Sequence, residues 1–311
     1  MFSMANSSAQ NPCVTFVQRD QKSTRDWTDL PLLPSIADRL ALIELIRFRA
    51  VCKDWRAASS DTLDKVEAIL DTEPWFILYG DDNSTCSLVT ENSTKKYTID
   101  VPELNGTICL ASSQGWLLLF CEGLVFFLCV LSRAKVDIPA TFPHSEISNH
   151  IAFFSAPPTS NNCIVGVLRQ TETETELYMI RRGATTWTKH KLAPLIRRNI
   201  KHVSYHEGEI YFIDDRYLMV FLEIENSRFY HWRVNYSDSE MGSRFRREGE
   251  KKLTELLALD DMSQVSICGT YVPFDNFRWN KTVRYQNSRV CKKQGAWFQP
   301  RFHQITQKQS W

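Results

Sequence analysis

Two histidines near residue 206 come closest to a catalytic or metal-binding pattern. His202 and His206 lie four residues apart in HVSYHEGE, with Glu207 and Glu209 beside them. On a helix this spacing would suit zinc, because residues four apart share one helical face. Here the pair precedes Gly208, in a predicted turn between strands, and no cysteine lies nearby. We therefore favour the interpretation that the two histidines flank a hairpin.

The common catalytic motifs are missing from the sequence. It contains no G-x-G-x-x-G or Walker A phosphate loop, no G-x-S-x-G nucleophile turn and no H-E-x-x-H zinc motif. We therefore expect no catalytic residues, no cofactor and no metal. An enzyme or a metal-binding protein on a β-sheet scaffold, with a purely structural helical part, stays open as the alternative function. Its remaining candidates would be the two histidines with Asp214 and Asp215.

Composition and charge exclude several classes of protein. The 311 residues are 43% hydrophobic, which is enough for a sizeable core, and their net charge of +1 argues against a wholly electrostatic nucleic-acid binder. Nine cysteines without any C-x-x-C pair are typical of reduced thiols in an intracellular protein. The apolar run Trp116–Leu131 is interrupted by Glu122 and Gly123 and is shorter than the ~20 residues of a membrane helix. We expect two strands joined by a tight turn there, and no membrane or nucleic-acid partner.

The first part of the chain has a helical pattern. Residues 1–26, rich in Ser, Asn and Gln, are expected to be a disordered lead-in, and residues 27–70 a helical module. Asp61 is the predicted N-cap of a last helix, Thr62–Leu70. Five side chains recur at spacings of 3, 3, 4 and 3, which predicts one shared helical face: Leu42, Leu45, Phe48, Cys52 and Trp55.

After Pro74 the pattern becomes that of β-strands. Short runs of β-branched and aromatic residues are bounded by turn residues, and one helical pattern, Gly249–Leu259, interrupts them. Three similar units open at Gly115, Cys163 and Gly208, 48 and 45 residues apart. This period is typical of propeller blades, each a four-stranded antiparallel sheet. Residues 73–311 are thus predicted to form an all-β propeller of about five degenerate, kelch-like blades, with a β-sandwich as the structural alternative.

Basic residues collect in two parts of the chain. Residues 276–311 contain eight Lys and Arg and no Asp or Glu, and seven more lie between Arg181 and Lys201. A solvated surface would account for both clusters. The other interpretation is a positive surface that selects an acidic or phosphorylated protein partner.

The helical part also carries a recognisable motif. It opens on Leu-Pro, continues through an amphipathic stretch and closes on V-C-x-x-W-R, and in this it resembles an F-box. Only four residues separate Pro31 from Ile36, and Pro34 is among them, so we expect a short or late first helix. The resemblance implies that the following residues form the adaptor-binding motif: Leu30, Pro31, Ile36, Arg39, Leu40, Leu45, Val51, Cys52, Trp55 and Arg56.

The β part resembles plant F-box proteins with a KIB-type, kelch-like β-propeller. Gly106–Phe120 and Phe126–Pro139 look like the first blades of that family, and Trp297–Phe302 looks like its C-terminal segment. Cys129 and Val130 replace the Asn-Pro of the family's second motif, so a turn there is expected to be lost or reshaped. The resemblance covers residues 27–311.

The resemblance implies an α+β multidomain protein, a three-helix F-box followed by the propeller. Such a protein is a non-catalytic substrate-recognition subunit of an SCF-type E3 ubiquitin ligase. The F-box would dock a Skp1-like adaptor and through it a cullin ligase, in the nucleus and/or cytoplasm, while the propeller binds a target protein. Composition and periodicity alone reach only a helical module and an intracellular all-β domain.

Overall fold

A computed structural model shows two compact units, Met1–Leu63 and Asp64–Trp311. The predicted lead-in, residues 1–26, lies outside the described residues, and the predicted domain boundaries stay predictions. The structure describes residues 32–63, 65, 75–80, 83–90, 96–147, 150–171, 174–192, 200–206, 208–214, 218–223, 228–233, 265–268, 282–283, 293–303 and 311.

The first unit contains three short helices, α1 (Leu32–Ala37), α2 (Leu42–Arg49) and α3 (Lys53–Ala58). The six-residue α1 agrees with the expected short first helix. It contains Pro34 in its first turn, where the N–H that proline lacks would have no partner within the helix.

The predicted single helical face from Leu42 to Trp55 is wrong, because the chain leaves the helix between α2 and α3. Cys52 is extended, with φ −161° and ψ 175°, and acts as the N-cap residue of α3. Asp61 is also not an N-cap: residues 60–63 are already helical, and the Leu63 N–H donates to the Ser59 carbonyl at 3.1 Å.

The second unit consists of antiparallel sheets of four or five strands, with one parallel pair in the first sheet. The first sheet contains β1 (Trp75–Gly80), β2 (Asn83–Thr90), β3 (Lys96–Asp100), β16 (Val265–Cys268) and β18 (Lys293–Phe298). The second contains β4 (Ile108–Ser113), β5 (Trp116–Cys121), β6 (Leu124–Leu128) and β7 (Lys135–Asp137). The third contains β8 (His150–Phe154), β9 (Ile164–Gln170), β10 (Thr175–Arg181) and β11 (Thr188–Lys191). The fourth contains β12 (Ile200–His206), β13 (Glu209–Asp214), β14 (Leu218–Glu223), β15 (Arg228–Arg233) and β17 (Thr282–Val283).

The sequence repeat marks equivalent strands of these sheets. Gly115, Cys163 and Gly208 lie at the start of β5, β9 and β13, and each of these strands follows the first of the consecutive strands in its sheet. This confirms a propeller-like domain of repeated antiparallel sheets. The described strands form four sheets where the period predicts about five, and the predicted helix Gly249–Leu259 lies outside the described residues.

Strands from the two ends of the unit share the first sheet. β18 pairs antiparallel with β1, from Trp75 opposite Phe298 to Gly80 opposite Lys293. Phe298 is buried, whereas Trp297 is half-buried and meets the edge of Phe76 at 5.2 Å between ring centroids. The two neighbouring side chains thus differ in burial, as expected for adjacent strand residues that point to opposite faces of a sheet.

The apolar strands of the third sheet are buried on both faces, which explains their continuous hydrophobic sequence. Val165 and Val167 of β9 belong to a core cluster shared with the second sheet, whereas Leu168 belongs to a cluster shared with the fourth. Gly166 lies beneath the ring of Phe153, where a Cβ would come within 2.1 Å of a ring carbon.

Two turns of the second sheet correspond to sequence predictions. Glu122 and Gly123, both at positive φ, join β5 to β6, as expected for the apolar run. After β6 the chain turns through Arg133, closed by Cys129 N–H donating to the Ala134 carbonyl at 2.9 Å. A turn is therefore present at Cys129 and Val130, and whether it differs in shape from the family's Asn-Pro turn stays a prediction. Among the described residues, no helix is long and apolar enough to span a membrane.

The segment after β18 packs on the hairpin between β4 and β5. The Gln114 N–H donates to the Gln299 side-chain oxygen at 3.0 Å, and the His303 ring stacks on Trp116 at 5.0 Å. Gly115, at φ +81°, leaves room for Arg301, whose Cβ would lie 2.6 Å from an added Cβ. The C-terminal chain thus contacts the second sheet as well as completing the first.

The closing pair of strands gives a first prediction. Gly295 of β18 lies against Phe76, and an added Cβ would come within 2.3 Å of the ring. We expect Gly295→Ala to lower the free energy of unfolding by about 1–3 kcal/mol, because the buried ring has no room to move. Denaturant unfolding of Gly295→Ala, of Phe76→Leu and of the double variant measures this. Because leucine is smaller than the ring, Gly295→Ala should cost less free energy of unfolding in the Phe76→Leu background than in wild type. Equal stability of wild type and Gly295→Ala would contradict the steric account.

Candidate functional site

The predicted F-box residues divide into an interior and a surface group. Leu30 and Pro31 lie outside the described residues. Leu45 is buried, and Leu40, Cys52 and Trp55 are partly buried. The exposed members are Ile36, Arg39, Val51 and Arg56.

Large apolar side chains are exposed on the helical unit. Leu32 and Ile36 lie four residues apart on one face of α1, and Val51 lies between α2 and α3; each is 45–61% exposed. Leu124, at the β5–β6 turn, is the one further large hydrophobic residue exposed to this degree within the described part of the chain. These three side chains leave apolar surface uncovered on the helical unit. The predicted set omitted Leu32, although its spacing from Ile36 would have identified it.

The interior of the helical unit is built by α2. Leu42, Ile43, Leu45 and Phe48 are buried, and the Trp55 ring packs on Phe48 at 4.4 Å between centroids. The sequence pattern placed Trp55 on the same predicted helical face as Leu45 and Phe48, but its side chain is only partly buried, whereas theirs are buried. The reason is the break at Cys52, which puts Trp55 on a separate short helix that has no fully buried residue.

A buried arginine holds α2 to α3. Arg49 is 6% exposed, and its guanidinium donates to the Arg56 carbonyl at 3.1 Å and to the Ser59 hydroxyl at 3.2 Å. The Thr62 hydroxyl donates to the Asp38 carboxylate at 2.6 Å, so the chain after α3 is bonded to the end of α1. The sequence pattern did not single out Arg49, because the apolar periodicity carries no signal for a buried cation.

A second group of polar side chains lies on one face of the third sheet. The strand register sets Arg169 opposite Glu176 and Tyr178 opposite Lys189, and residues two apart on β10 share a face. Glu176 accepts from Lys189 at 2.5 Å, from Tyr178 at 2.8 Å and from Arg169 at 3.3 Å. His144, from the chain between β7 and β8, lies 2.9 Å from the Tyr178 hydroxyl.

These contacts determine the protonation of the group. Burial alone would raise the pKa of Glu176, but the hydrogen bonds from Lys189, Tyr178 and Arg169 outweigh it and hold the pKa at about 2. Since the Tyr178 hydroxyl donates to Glu176, it accepts from the Nε2–H of His144. Burial and the nearby charges of Arg169 and Lys189 lower the pKa of His144, so the ring is neutral at pH 7.

The candidates of the alternative function lie on and next to two strands of the fourth sheet, and Asp215 is outside the described residues. His202 and His206 lie on β12, and four residues of extended strand separate their backbones by about 13 Å. One zinc ion, with bonds of about 2 Å to nitrogen, does not bridge that spacing on a straight strand. Within the described part of the chain, no three His, Cys, Asp or Glu side chains form a possible metal cluster. Most of the basic stretch 276–311 lies outside the described residues.

Comparison with known proteins agrees with this architecture. A family profile described as "F-box domain" matches residues 27–66, and one described as "KIB1-4 beta-propeller" matches residues 85–294. The "F-box/kelch-repeat protein At1g57790" of Arabidopsis thaliana is 26% identical over 64% of this chain and 57% of its own. The "F-box protein KIB3" of the same plant is 30% identical over 35% of this chain and 25% of its own. The matched part spans less than two thirds of each relative's length.

Similarity to solved structures is weaker. The structure of YjhT matches 54% of this chain and 64% of its own with a TM-score of 0.34 at 10% sequence identity. A score this low adds nothing to the argument from the sheets themselves.

The helical unit and the repeated sheets define a protein with an N-terminal F-box followed by a β-propeller. Because the propeller profile covers more than half of the chain, the chain belongs to the family of F-box proteins with a KIB1-4 β-propeller.

The contact between Trp55 and Phe48 gives a prediction about the helical unit. Because Trp55 is partly buried, we expect Trp55→Ala to cost about 2 kcal/mol, less than the ~3–5 kcal/mol of a fully buried tryptophan. Amide hydrogen exchange of α2 measures the local loss, with Lys53→Ala on the exposed side of α3 as control. Unchanged protection of α2 in Trp55→Ala would contradict the packing described.

The lowered pKa of His144 gives a prediction about pH. The unfolded chain binds a proton near pH 6.5 and the folded one only at lower pH, so stability falls as pH decreases from 6.5 through the folded pKa. The groups facing His144 are Arg169, Lys189, Glu176 and Tyr178, and the His150 ring lies nearby. We expect His144→Asn to lose less stability than wild type between pH 7 and pH 5.

Unfolding midpoints at the two pH values measure this difference. His190→Asn, which replaces an exposed histidine of β11, is the matched control and should lose as much as wild type. An equal pH-dependent loss in His144→Asn and wild type would show that His144 is not the linked group.

Proposed function

We propose that this protein is the substrate-recognition subunit of an SCF-type E3 ubiquitin ligase. Its F-box docks a Skp1-like adaptor and through it a cullin ligase, and its propeller binds a target protein. The observation that carries the proposal is the F-box profile match over the helical unit, directly followed by a propeller of the KIB1-4 family. F-box domains generally bind Skp1 adaptors in SCF complexes.

The surface of the helical unit supports adaptor docking. The unit has a small core, and Leu32, Ile36 and Val51 remain exposed on it. An amphipathic helix that presents apolar side chains four residues apart is suited to a hydrophobic groove of a partner. Burying these side chains on the adaptor would stabilise both the complex and the unit itself.

The remaining parts of the proposal concern the target and the location. The receptor acts without a catalytic residue or cofactor of its own, in the nucleus and/or cytoplasm, while other subunits supply the ubiquitin-transfer chemistry. The target is an acidic or phosphorylated protein. Exposed cations on the third sheet, Arg181 and Lys189, support that part of the proposal, since they favour a negatively charged partner.

Charge substitution on the apolar surface tests adaptor docking. Ile36→Asp and Val51→Asp place a carboxylate in the proposed interface, and each should weaken binding of a Skp1-like adaptor at least tenfold. Titration of the purified full chain with the adaptor measures this. The expected loss comes from an unpaired charge buried in the complex, so the fold of the free protein should be unchanged.

A matched variant separates docking from general effects of the substitution. Leu124→Asp also replaces an exposed apolar side chain, but on the β5–β6 turn, and should bind the adaptor like wild type. Leu30→Ala/Pro31→Ala, which removes the Leu-Pro of the motif, should weaken binding as well. Full adaptor affinity in both Ile36→Asp and Val51→Asp would overturn the proposed docking surface.

A further inference from the structure

Two cations of the third sheet remain exposed although they share a buried carboxylate. The Glu176 side chain is 7% exposed, whereas its partners Arg169 and Lys189 are 35% and 44% exposed. Each pairs with Glu176 through one nitrogen. A guanidinium carries five N–H donors and an ammonium three, so Glu176 does not use up the donors of either cation. The local charge of two cations and one carboxylate is +1.

The cations are held in place by a rigid frame. Glu176 and Tyr178 lie on a central strand of a four-stranded sheet, and His144 bonds to the Tyr178 hydroxyl. Two contacts fix the segment that carries His144. The Phe142 ring packs on the Tyr178 ring with 5.4 Å between centroids, and the Trp187 indole N–H donates a hydrogen bond to the Ala140 carbonyl at 3.1 Å. A site whose charged groups are fixed before binding loses little entropy when a ligand arrives.

The cluster is not explained by stability alone. Moving a carboxylate and its partners partly out of water costs free energy, and their mutual attraction only approximately offsets this cost. Apolar residues of similar volume would give the sheet about the same stability. Arg169 and Lys189 also keep water-facing donors beside a neutral histidine. This combination matches the requirements for binding an anionic group with several oxygens.

We propose that Arg169 and Lys189, positioned by Glu176 and flanked by His144, form an anion-binding site for a phosphorylated or carboxylate side chain of the target protein. The assignment to a target rests on the proposed receptor function. The anion binding itself does not. A phosphate placed between the two cations would accept hydrogen bonds from guanidinium N–H groups of Arg169 that do not bond to Glu176, and from the ammonium of Lys189. Glu176 would keep its hydrogen bonds to both residues.

His144 reports on occupancy of this site. The positive charges of Arg169 and Lys189 contribute to its lowered pKa, so an anion bound to them should raise that pKa. The histidine ring signals of the full chain are titrated by NMR in inorganic phosphate and in chloride at equal ionic strength. His144→Asn identifies the signal. We expect the pKa of His144 to be higher in phosphate.

Variants locate the bound anion. Lys189→Met and Arg169→Lys should each weaken phosphate binding about tenfold: the first loses the charge, and the second keeps it but loses the planar fork. The matched control is Arg133→Met, which removes an arginine ion-paired with Glu103 at 2.6 Å elsewhere in the unit, and should bind phosphate like wild type. Unfolding transitions confirm that each variant is folded, and Arg169→Lys leaves Glu176 a cationic partner.

The outcomes separate the possible ligands. A response to phosphate at lower concentration than to acetate supports a phosphorylated side chain, and equal responses support a carboxylate. The same pKa in phosphate, acetate and chloride would overturn the site. A response to a short single-stranded oligonucleotide but not to phosphate would overturn the assignment to a protein target. If the wild-type chain does not bind the adaptor but its His144 signal still responds to phosphate, the receptor function is rejected and the anion site is kept.

Discussion

The β unit depends on the pairing of its last described strand with its first. β18 bonds antiparallel to β1 and parallel to β16, so one sheet contains strands that lie about 200 residues apart in the sequence. Contacts of such long sequence separation form only after the chain between them has folded back. Forming them therefore includes the entropic cost of closing a loop as long as the whole unit. Gly295 is required at this pairing, because only a residue without a Cβ lets β18 approach the ring of Phe76.

The remaining sheets follow from burial on two faces. In a ring of packed sheets, an inner strand has a neighbouring sheet on each side, so both of its faces must be apolar. β9 fulfils this with alternate residues in two different core clusters. Arg169 and Glu176 lie near the ends of their strands, and Lys189 lies on the outer strand β11, so all three avoid the middle of an inner strand.

Local sequence signals predicted the repeated architecture but not the contacts between its parts. The starts at Gly115, Cys163 and Gly208 identified equivalent strands, because turn chemistry and strand alternation are encoded over a few residues. The helix break at Cys52 was missed, since the apolar spacing continues through it. Leu30 and Pro31 lie outside the described residues, so the predicted adaptor-binding set is only partly placed in the structure. The cluster around Glu176 was not predictable, because its members are joined by strand register and by a connection between sheets.

The two units differ in the size of their cores, and this difference explains why the first has exposed apolar side chains and the second a buried carboxylate. A unit with a small core gains from apolar surface that a partner covers, so exposed Leu32, Ile36 and Val51 are compatible with a role in a complex. A large, closed β unit does not need further apolar contact, and it can bear the desolvation cost of a buried carboxylate such as Glu176. Under the proposed function, binding energy would come from unburied apolar side chains in the first unit and from charges fixed by a rigid sheet in the second. This division fits the proposed receptor, which would bind an adaptor at one unit and a charged target at the other, because selection of a target depends on fixed geometry more than on buried area.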